Sequence, residues 1–117
     1  METDRQCRQL VQYAKKGVFR PVYLLMGEEP FYVDMVCEAV LENCIGEDQK
    51  DFNEIVCYGT DVDADAVVTA ARRYPMFADR QLVVVKEAQA MKDIDDLGVY
   101  CEDPLDTTVL VICMMGA

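Results

Sequence analysis

Gly27 closes an apolar run, and the residues behind it stand where a phosphate-binding loop would do its work. In the motif Gly-x-x-x-x-Gly-Lys-Ser/Thr, backbone N–H groups and the lysine hold phosphates. Laid over Gly27, that motif puts Tyr32 at the second glycine, Val33 at the lysine and Asp34 at the hydroxyl. Each replacement removes a needed feature. Tyr32 blocks close backbone approach, Val33 carries no charge, and Asp34 repels phosphate. Glu28 and Glu29 add negative charge where the ligand would sit. The stretch has the frame of a nucleotide site without its chemistry.

Other reactions fare no better. Nucleotide hydrolysis wants an acid at the end of the third strand to organise magnesium. Here Leu82-Val83-Val84-Val85 ends at Lys86, with Glu87 following. The same lysine stands where a phosphate-accepting Asp would be needed in a receiver-type domain. The chain has no histidine and no serine, which excludes Ser-His and Cys-His catalysis. What remains for an enzyme-like reading is a nucleotide- or phosphate-binding α/β domain that uses Glu28, Glu29 and Glu87 with magnesium.

A chain of 117 residues allows one domain at most, 1–117. With 52% apolar residues it can bury a core. Eleven basic against 22 acidic residues leave a net charge of −11, which argues against direct phosphate-backbone binding as the main task. Six cysteines stand at 7, 37, 44, 57, 101 and 113 with no C-x-x-C pair. A structural zinc site is therefore not expected. Most of these cysteines fall in apolar periodic runs, where Cys behaves as a small hydrophobe. Buried free thiols suit a reducing, cytoplasmic compartment. Residues 1–5 do not read as a signal peptide, and no apolar run approaches the ~20 residues of a membrane span.

The elements that would position these residues follow from periodicity. Residues 2–16 read as a helix, with Cys7, Leu10, Val11 and Ala14 on one face and Gly17 as its stop. Val22–Met26 is a strand. Phe31–Ile45 is a helix carrying Val33, Val36, Cys37, Val40, Leu41, Cys44 and Ile45 in one stripe, with Pro30 in its first turn and Gly46 as its C-terminal cap. Phe52–Tyr58 reads as a second strand and Ala64–Arg73 as a helix stopped by Pro75. Leu82–Val85 is a third strand, Asp93–Tyr100 a helix weakened by Gly98, and Thr107–Met115 a fourth strand. Continuous apolar strands alternating with helices predict a parallel sheet covered on both faces. Because a buried strand closes the sequence, we expect a fragment of a longer protein.

Between the helix at 64–73 and the third strand lies Tyr-Pro-Met-Phe-Ala-Asp-Arg-Gln, residues 74–81. Met76 and Phe77 could fold inward and close the core. They could equally stand out as an anchor pair for a partner's pocket.

Two stretches carry a family resemblance. Tyr-Leu-Leu-Met-Gly-Glu-Glu-Pro-Phe-Tyr-Val-Asp at 23–34 resembles the opening of the bacterial DNA polymerase III delta subunit family. Pro-Met-Phe-Ala-Asp-Arg-Gln-Leu-Val-Val-Val at 75–85 resembles its second signature. The resemblance spans essentially the whole chain and implies most of the family's N-terminal domain. It implies an AAA+-like fold, related to P-loop NTPases, with a degenerate phosphate loop at Gly27, Tyr32, Val33 and Asp34. The implied activity is mechanical: the subunit binds a ring-shaped sliding clamp and holds one interface open for loading onto primed DNA during replication. Other subunits of the holoenzyme hydrolyse ATP, so neither catalysis nor a cofactor is expected here.

In the family, a Leu-Phe pair at the end of a helix enters a hydrophobic pocket on the clamp, and Met76-Phe77 falls at that pair. The substitution of Met for Leu is mild. The family motif often has Gln a few residues upstream; Arg72 stands there in this chain. The resemblance also implies a collar domain, absent from these residues, through which the loader assembles. DNA contact would be indirect and the location cytoplasmic and nucleoid-associated. In the implied strand order, Thr107–Met115 lies between the first and third strands, leaving Val22–Met26 as an edge. Such an edge is expected to pair with a second chain or to be covered by another segment.

Overall fold

A computed structural model describes residues 2–27 and 29–115. The chain runs α1 (Glu2–Lys15), β1 (Val22–Gly27), α2 (Pro30–Asn43), a 3₁₀ turn (Glu47–Gln49), α3 (Lys50–Asn53) and β2 (Glu54–Tyr58). Then come α4 (Ala64–Ala71), β3 (Gln81–Lys86), 3₁₀ turns at Ala88–Ala90 and Ile94–Asp96, α5 (Leu97–Glu102) and β4 (Thr108–Met115). The strands form one parallel sheet in the order β1-β4-β3-β2. This is the order expected of the AAA+-like architecture, with the last strand inside and β1 at an edge.

The unbroken apolar runs of β3 and β4 are explained by two cores, one on each face. Side chains alternate across a strand. Leu82, Val84, Val109, Val111 and Cys113 pack with Val33, Val36, Cys37 and Val40 of α2, with Cys7, Leu10 and Val11 of α1 at the rim. Val83, Val85, Leu110 and Ile112 pack on the other face with Ala64, Val67 and Ala71 of α4 and with Leu97 and Tyr100 of α5. Because both faces are covered, neither strand has a polar side to show.

Several expected boundaries shift, each for a local reason. The helix from Pro30 ends at Asn43, and Gly46 has an ordinary φ of −63°, so it opens the 3₁₀ turn rather than capping α2. Gly17, by contrast, is left-handed at φ +81° and ends α1 as expected. The second strand starts at Glu54 and not at Phe52. Residues 50–53 are a helical turn, because the Asn53 amide donates back to the Gln49 carbonyl. α4 ends at Ala71 and not at Arg73. The helix expected over 93–100 begins only at Leu97; Asp93 is occupied elsewhere, its carboxylate accepting from the Ala64 N–H at 3.1 Å.

All six cysteines are free, and Cys37, Cys44 and Cys113 are buried. Cys37 and Cys113 meet beneath the sheet's α2 face; their hydrogen bond holds the Cys37 thiol below its usual range and pushes Cys113 up. Burial pushes the Cys44 thiol up to about 11 from 9.0, countered in part by Arg80. A thiol raised in the folded state stabilises the fold fully below its unfolded pKa, and that contribution disappears as pH rises through the folded one. The melting temperature should therefore fall between pH 9 and 11, less steeply in Cys44→Ala. Labelling of Cys44 in the native protein at neutral pH should be slow. Rapid labelling there would contradict the packing of the α2 face.

β1 pairs with β4 from Val22↔Leu110 to Gly27↔Met115, and among the described residues no strand lies on its other side. Leu24, Met26 and Phe31 are exposed along that edge, which borders an open groove shared with Cys7 and Leu10 of α1. The edge contains neither a charge nor a proline to block pairing. At physiological salt the acidic surface opposes association only over a screening length of about 8 Å. The chain on its own should self-associate with rising concentration in sedimentation velocity, and Leu24→Lys should keep it monomeric. A monomer at every concentration would show that the edge is protected.

Candidate functional site

The two candidate sites lie at opposite ends of the sheet. Gly27 ends β1 and Glu87 follows β3, so the nucleotide-type residues stand at the C-terminal ends of the strands. The Tyr74–Arg80 loop enters β3 at its N-terminal end. A six-residue strand separates them by about 20 Å.

At the C-terminal end, only positions 28 and 29 separate β1 from α2, which begins at Pro30. Tyr32, Val33 and Asp34 are therefore already inside the helix. Val33, at the lysine position, is 4% exposed and belongs to the core under α2. Asp34 is exposed. Glu29 stands at the N-cap of α2 without a capping hydrogen bond from its side chain. Glu28 lies outside the described residues. Glu87 sits in a left-handed turn at φ +53°, its carboxylate accepting from Gln89 at 2.5 Å. β1 and β3 are two strands apart, about 10 Å, so Glu29 and Glu87 leave the sheet at separate points. Among the described residues no group of three His, Cys, Asp or Glu side chains could hold a metal ion.

The other end is built by buried amides. α4 ends at Ala71, and its last carbonyls need donors. Gln81, 1% exposed at the start of β3, supplies them. The two N–H groups of its Nε2 face the carbonyls of Ala70 and Arg73, each at 2.8 Å, with the Ala71 carbonyl (3.3 Å) and the Thr108 Oγ1 (3.0 Å) also within reach. Thr108 Oγ1 donates to the Ala71 carbonyl at 2.6 Å. The chain then leaves the helix over the end of the sheet. There Asn53, also 1% exposed, receives it. The Asn53 Oδ1 accepts from the Met76 N–H at 2.7 Å, and its Nδ2 donates to the Met76 carbonyl at 2.8 Å. Gln49 Nε2 donates to the Phe77 carbonyl at 2.9 Å.

This polar scaffold leaves the large side chains outside. Phe77 is 89% exposed, Tyr74 75% and Met76 49%, and Phe52 beside them is 58% exposed. Phe77 also has a left-handed backbone, φ +58°. The core alternative for these residues therefore does not agree with their placement. Arg72 points elsewhere: its guanidinium lies 4.9 Å over the ring of Tyr100 in α5. Its neighbour Arg73 reaches the Phe52 carbonyl at 3.5 Å. The bonds of Arg73 to the Phe52 carbonyl and of Asn53 to Met76 thus bring the end of α3 against the exposed loop, while Arg72 lies on the α5 side.

The sequence profile of the family described as "DNA polymerase III, delta subunit" matches residues 23–117, which holds both the β1–α2 frame and the exposed loop. The chain belongs to that family. It is 26% identical over 108 residues to the DNA polymerase III subunit delta of Bacillus subtilis, covering 84% of this chain and 31% of that protein. Among solved structures it is similar to the DNA clamp loader delta protein of B. subtilis, with a TM-score of 0.82 at 24% identity over 92% of this chain and 35% of the other. It is also similar to a DNA polymerase III gamma subunit-related protein of Thermotoga maritima, with a TM-score of 0.60 at 20% identity over 94% and 39%. The structural likenesses concern the fold. The chain spans about a third of the length of the delta relatives it matches.

Sequence reading of this delta-family chain singled out Met76 and Phe77 without choosing between core and surface, and it missed what holds them. Gln49, Asn53 and Gln81 are isolated amides in otherwise ordinary contexts. Only the placement of Gln81 at the head of an apolar strand set it apart. Replacing Gln81 by leucine keeps the volume and removes the donors. Ala71 keeps the Thr108 hydroxyl and Ala70 the Arg73 N–H, but the Arg73 carbonyl loses its donor, so Gln81→Leu should cost about 1–3 kcal/mol, read from urea unfolding. A variant as stable as the wild type would show that water satisfies the end of α4.

Proposed function

We propose that this chain is the clamp-contacting part of a clamp-loader subunit, the N-terminal domain of a longer protein. Met76 and Phe77 enter an apolar pocket on a sliding clamp and hold one interface open, so that the ring can be placed on primed DNA. The observation that carries this reading is Phe77, 89% exposed at the tip of a loop whose backbone is tied down on both sides. An exposed aromatic on a fixed backbone has the makings of an anchor, because it arrives at the partner with little entropy left to lose. Phe52 and Tyr74 widen the apolar contact, and Arg73 supplies a cation at its rim. Arg72 takes part only if it leaves Tyr100.

The chemistry of the loader then belongs to other subunits. On this reading the Gly27–Asp34 frame binds no nucleotide and no cofactor: Val33 is committed to the core, and the helix begins too soon after Gly27 for a phosphate cradle to form. Contact with DNA is indirect, and the other loader subunits engage parts of the protein outside these residues. A cytoplasmic, nucleoid-associated location goes with that role. Among the described residues no helix is long and apolar enough to cross a membrane.

Phe77→Ala should weaken binding to the same organism's sliding clamp by about 2 kcal/mol or more, roughly 30-fold. Because the side chain is exposed, the melting temperature should stay near that of the wild type. Calorimetric titration of clamp into the two proteins checks this. Unchanged affinity in Phe77→Ala would remove Phe77 from the contact and the proposal with it.

A further inference from the structure

The geometry points to Asn53 and Gln49 as positioning residues that preset the Met76–Phe77 tip for insertion, an inference that rests on the clamp-contacting role proposed above. Neither side chain reaches the exposed rings. Both act on the backbone beneath them.

Asn53 is the more deeply placed. Its amide faces the peptide groups of Met76 as a neighbouring strand would, accepting from the N–H at 2.7 Å and donating to the C=O at 2.8 Å. The second N–H of the same amide donates to the Gln49 carbonyl at 3.0 Å, which fixes the side chain against its own helical turn. An amide has one acceptor oxygen and two donor hydrogens, and here all three functions are used. Met76 is therefore held in position and in direction. No other side chain of the standard set offers an acceptor and two donors at this length.

Gln49 holds the next residue. Phe77 has φ +58°, a conformation that costs a non-glycine residue roughly 1 kcal/mol or more. A free loop would relax out of it. The Gln49 Nε2 donates to the Phe77 carbonyl at 2.9 Å and opposes that relaxation. With Met76 fixed on both peptide groups and Phe77 fixed at its carbonyl, the turn at 77 carries the ring outward to 89% exposure. Both holding residues come from one short segment, the 3₁₀ turn and α3, which the sequence pattern assigns partly to a strand. The helical turn at 50–53 places Gln49 and Asn53 four residues apart on one face, and that is the spacing needed to reach two successive residues of the loop.

The test uses the whole chain with the same organism's sliding clamp. Affinity is measured for the wild type, Gln49→Ala, Gln49→Glu, Phe77→Ala and the Gln49→Ala/Phe77→Ala double variant. Gln49 is only half-buried, so its variants should melt with the wild type. Gln49→Glu keeps the shape and loses the donor. Both Gln49 variants should bind the clamp about 3- to 10-fold more weakly, the loss of a preset conformation. The double variant should bind no more weakly than Phe77→Ala, since the holding residue acts through the ring. Wild-type affinity in the Gln49 variants, or losses that simply add, would overturn the inference while leaving the clamp reading intact. Unchanged affinity in Phe77→Ala would overturn both.

Hydrogen exchange separates positioning from folding for Asn53. In Asn53→Ala the Met76 amide should exchange at least about tenfold faster, while the amides of β3 and β4 keep their rates. An equal acceleration throughout the sheet would make Asn53 a structural residue only and overturn its part.

Discussion

One buried amide group fixes how the chain crosses from its second face to its central strands. Gln81 opens β3 directly beside Thr108, which opens β4, and the two are register partners. Together they take up the carbonyls at the end of α4. A helix end cannot be buried against a sheet with those carbonyls unpaired, at a cost of about 1–3 kcal/mol for each. Because one residue on each central strand answers them, the end of α4 is tied to β3 and β4 at once. The direction in which the chain leaves α4 is set at that point. Everything from Arg72 to Arg80 inherits it.

The consequence is a loop that does not depend on its own side chains. Most loops that lie on a core are held by turning a large apolar residue inward. Here the backbone is held at one end by Gln81 and in the middle by Asn53 and Gln49. Met76 and Phe77 are left free of that duty. Leaving a phenylalanine in water forgoes roughly 1.5–3 kcal/mol of burial, and the left-handed backbone at Phe77 adds to the deficit. A fold gains nothing from either by itself. The arrangement makes sense where a partner supplies the missing burial.

How much of this could be read in the sequence depended on whether a feature has a period. The sheet was legible because β3 from Leu82 to Val85 and β4 from Val109 onward are unbroken apolar runs, the pattern of a strand covered on both faces. α1 and α2 were legible from their stripes; the Met76–Phe77 pair stood out in its loop, but which way it faces did not. The turn at 50–53 was not. Phe52, Ile55, Val56 and Tyr58 look like one strand, whereas the Asn53 amide both closes the turn on the Gln49 carbonyl and binds Met76, 23 residues away. The start of α5 was lost in the same way, to the bond between Asp93 and Ala64. Long-range hydrogen bonds of single amides and carboxylates leave no periodic trace. The resemblance placed Arg72 beside the Met76–Phe77 pair, and a cation–π contact with Tyr100, equally without a period, holds its guanidinium against α5 instead.

The two ends of the sheet answer to different constraints, and that separation bears on how such a chain can lose one property and keep another. The turn after β1 is two positions long, and the residue at the lysine position is a buried valine. Restoring a phosphate site there would require lengthening the turn and pulling Val33 out of a core shared with α1, β3 and β4. Val33 lies at the opposite end of the sheet from the Met76–Phe77 tip, whose geometry rests on Gln49, Asn53, Gln81 and Thr108. The nucleotide frame can therefore be filled with core side chains without disturbing the exposed tip. A parallel sheet permits this because its strand ends are about 20 Å apart and each is served by its own connections. What the Gly27 end contributes to the tip is rigidity: Val33, Val36 and Val40 pack against Leu82 and Val84 of β3, the strand that the loop enters.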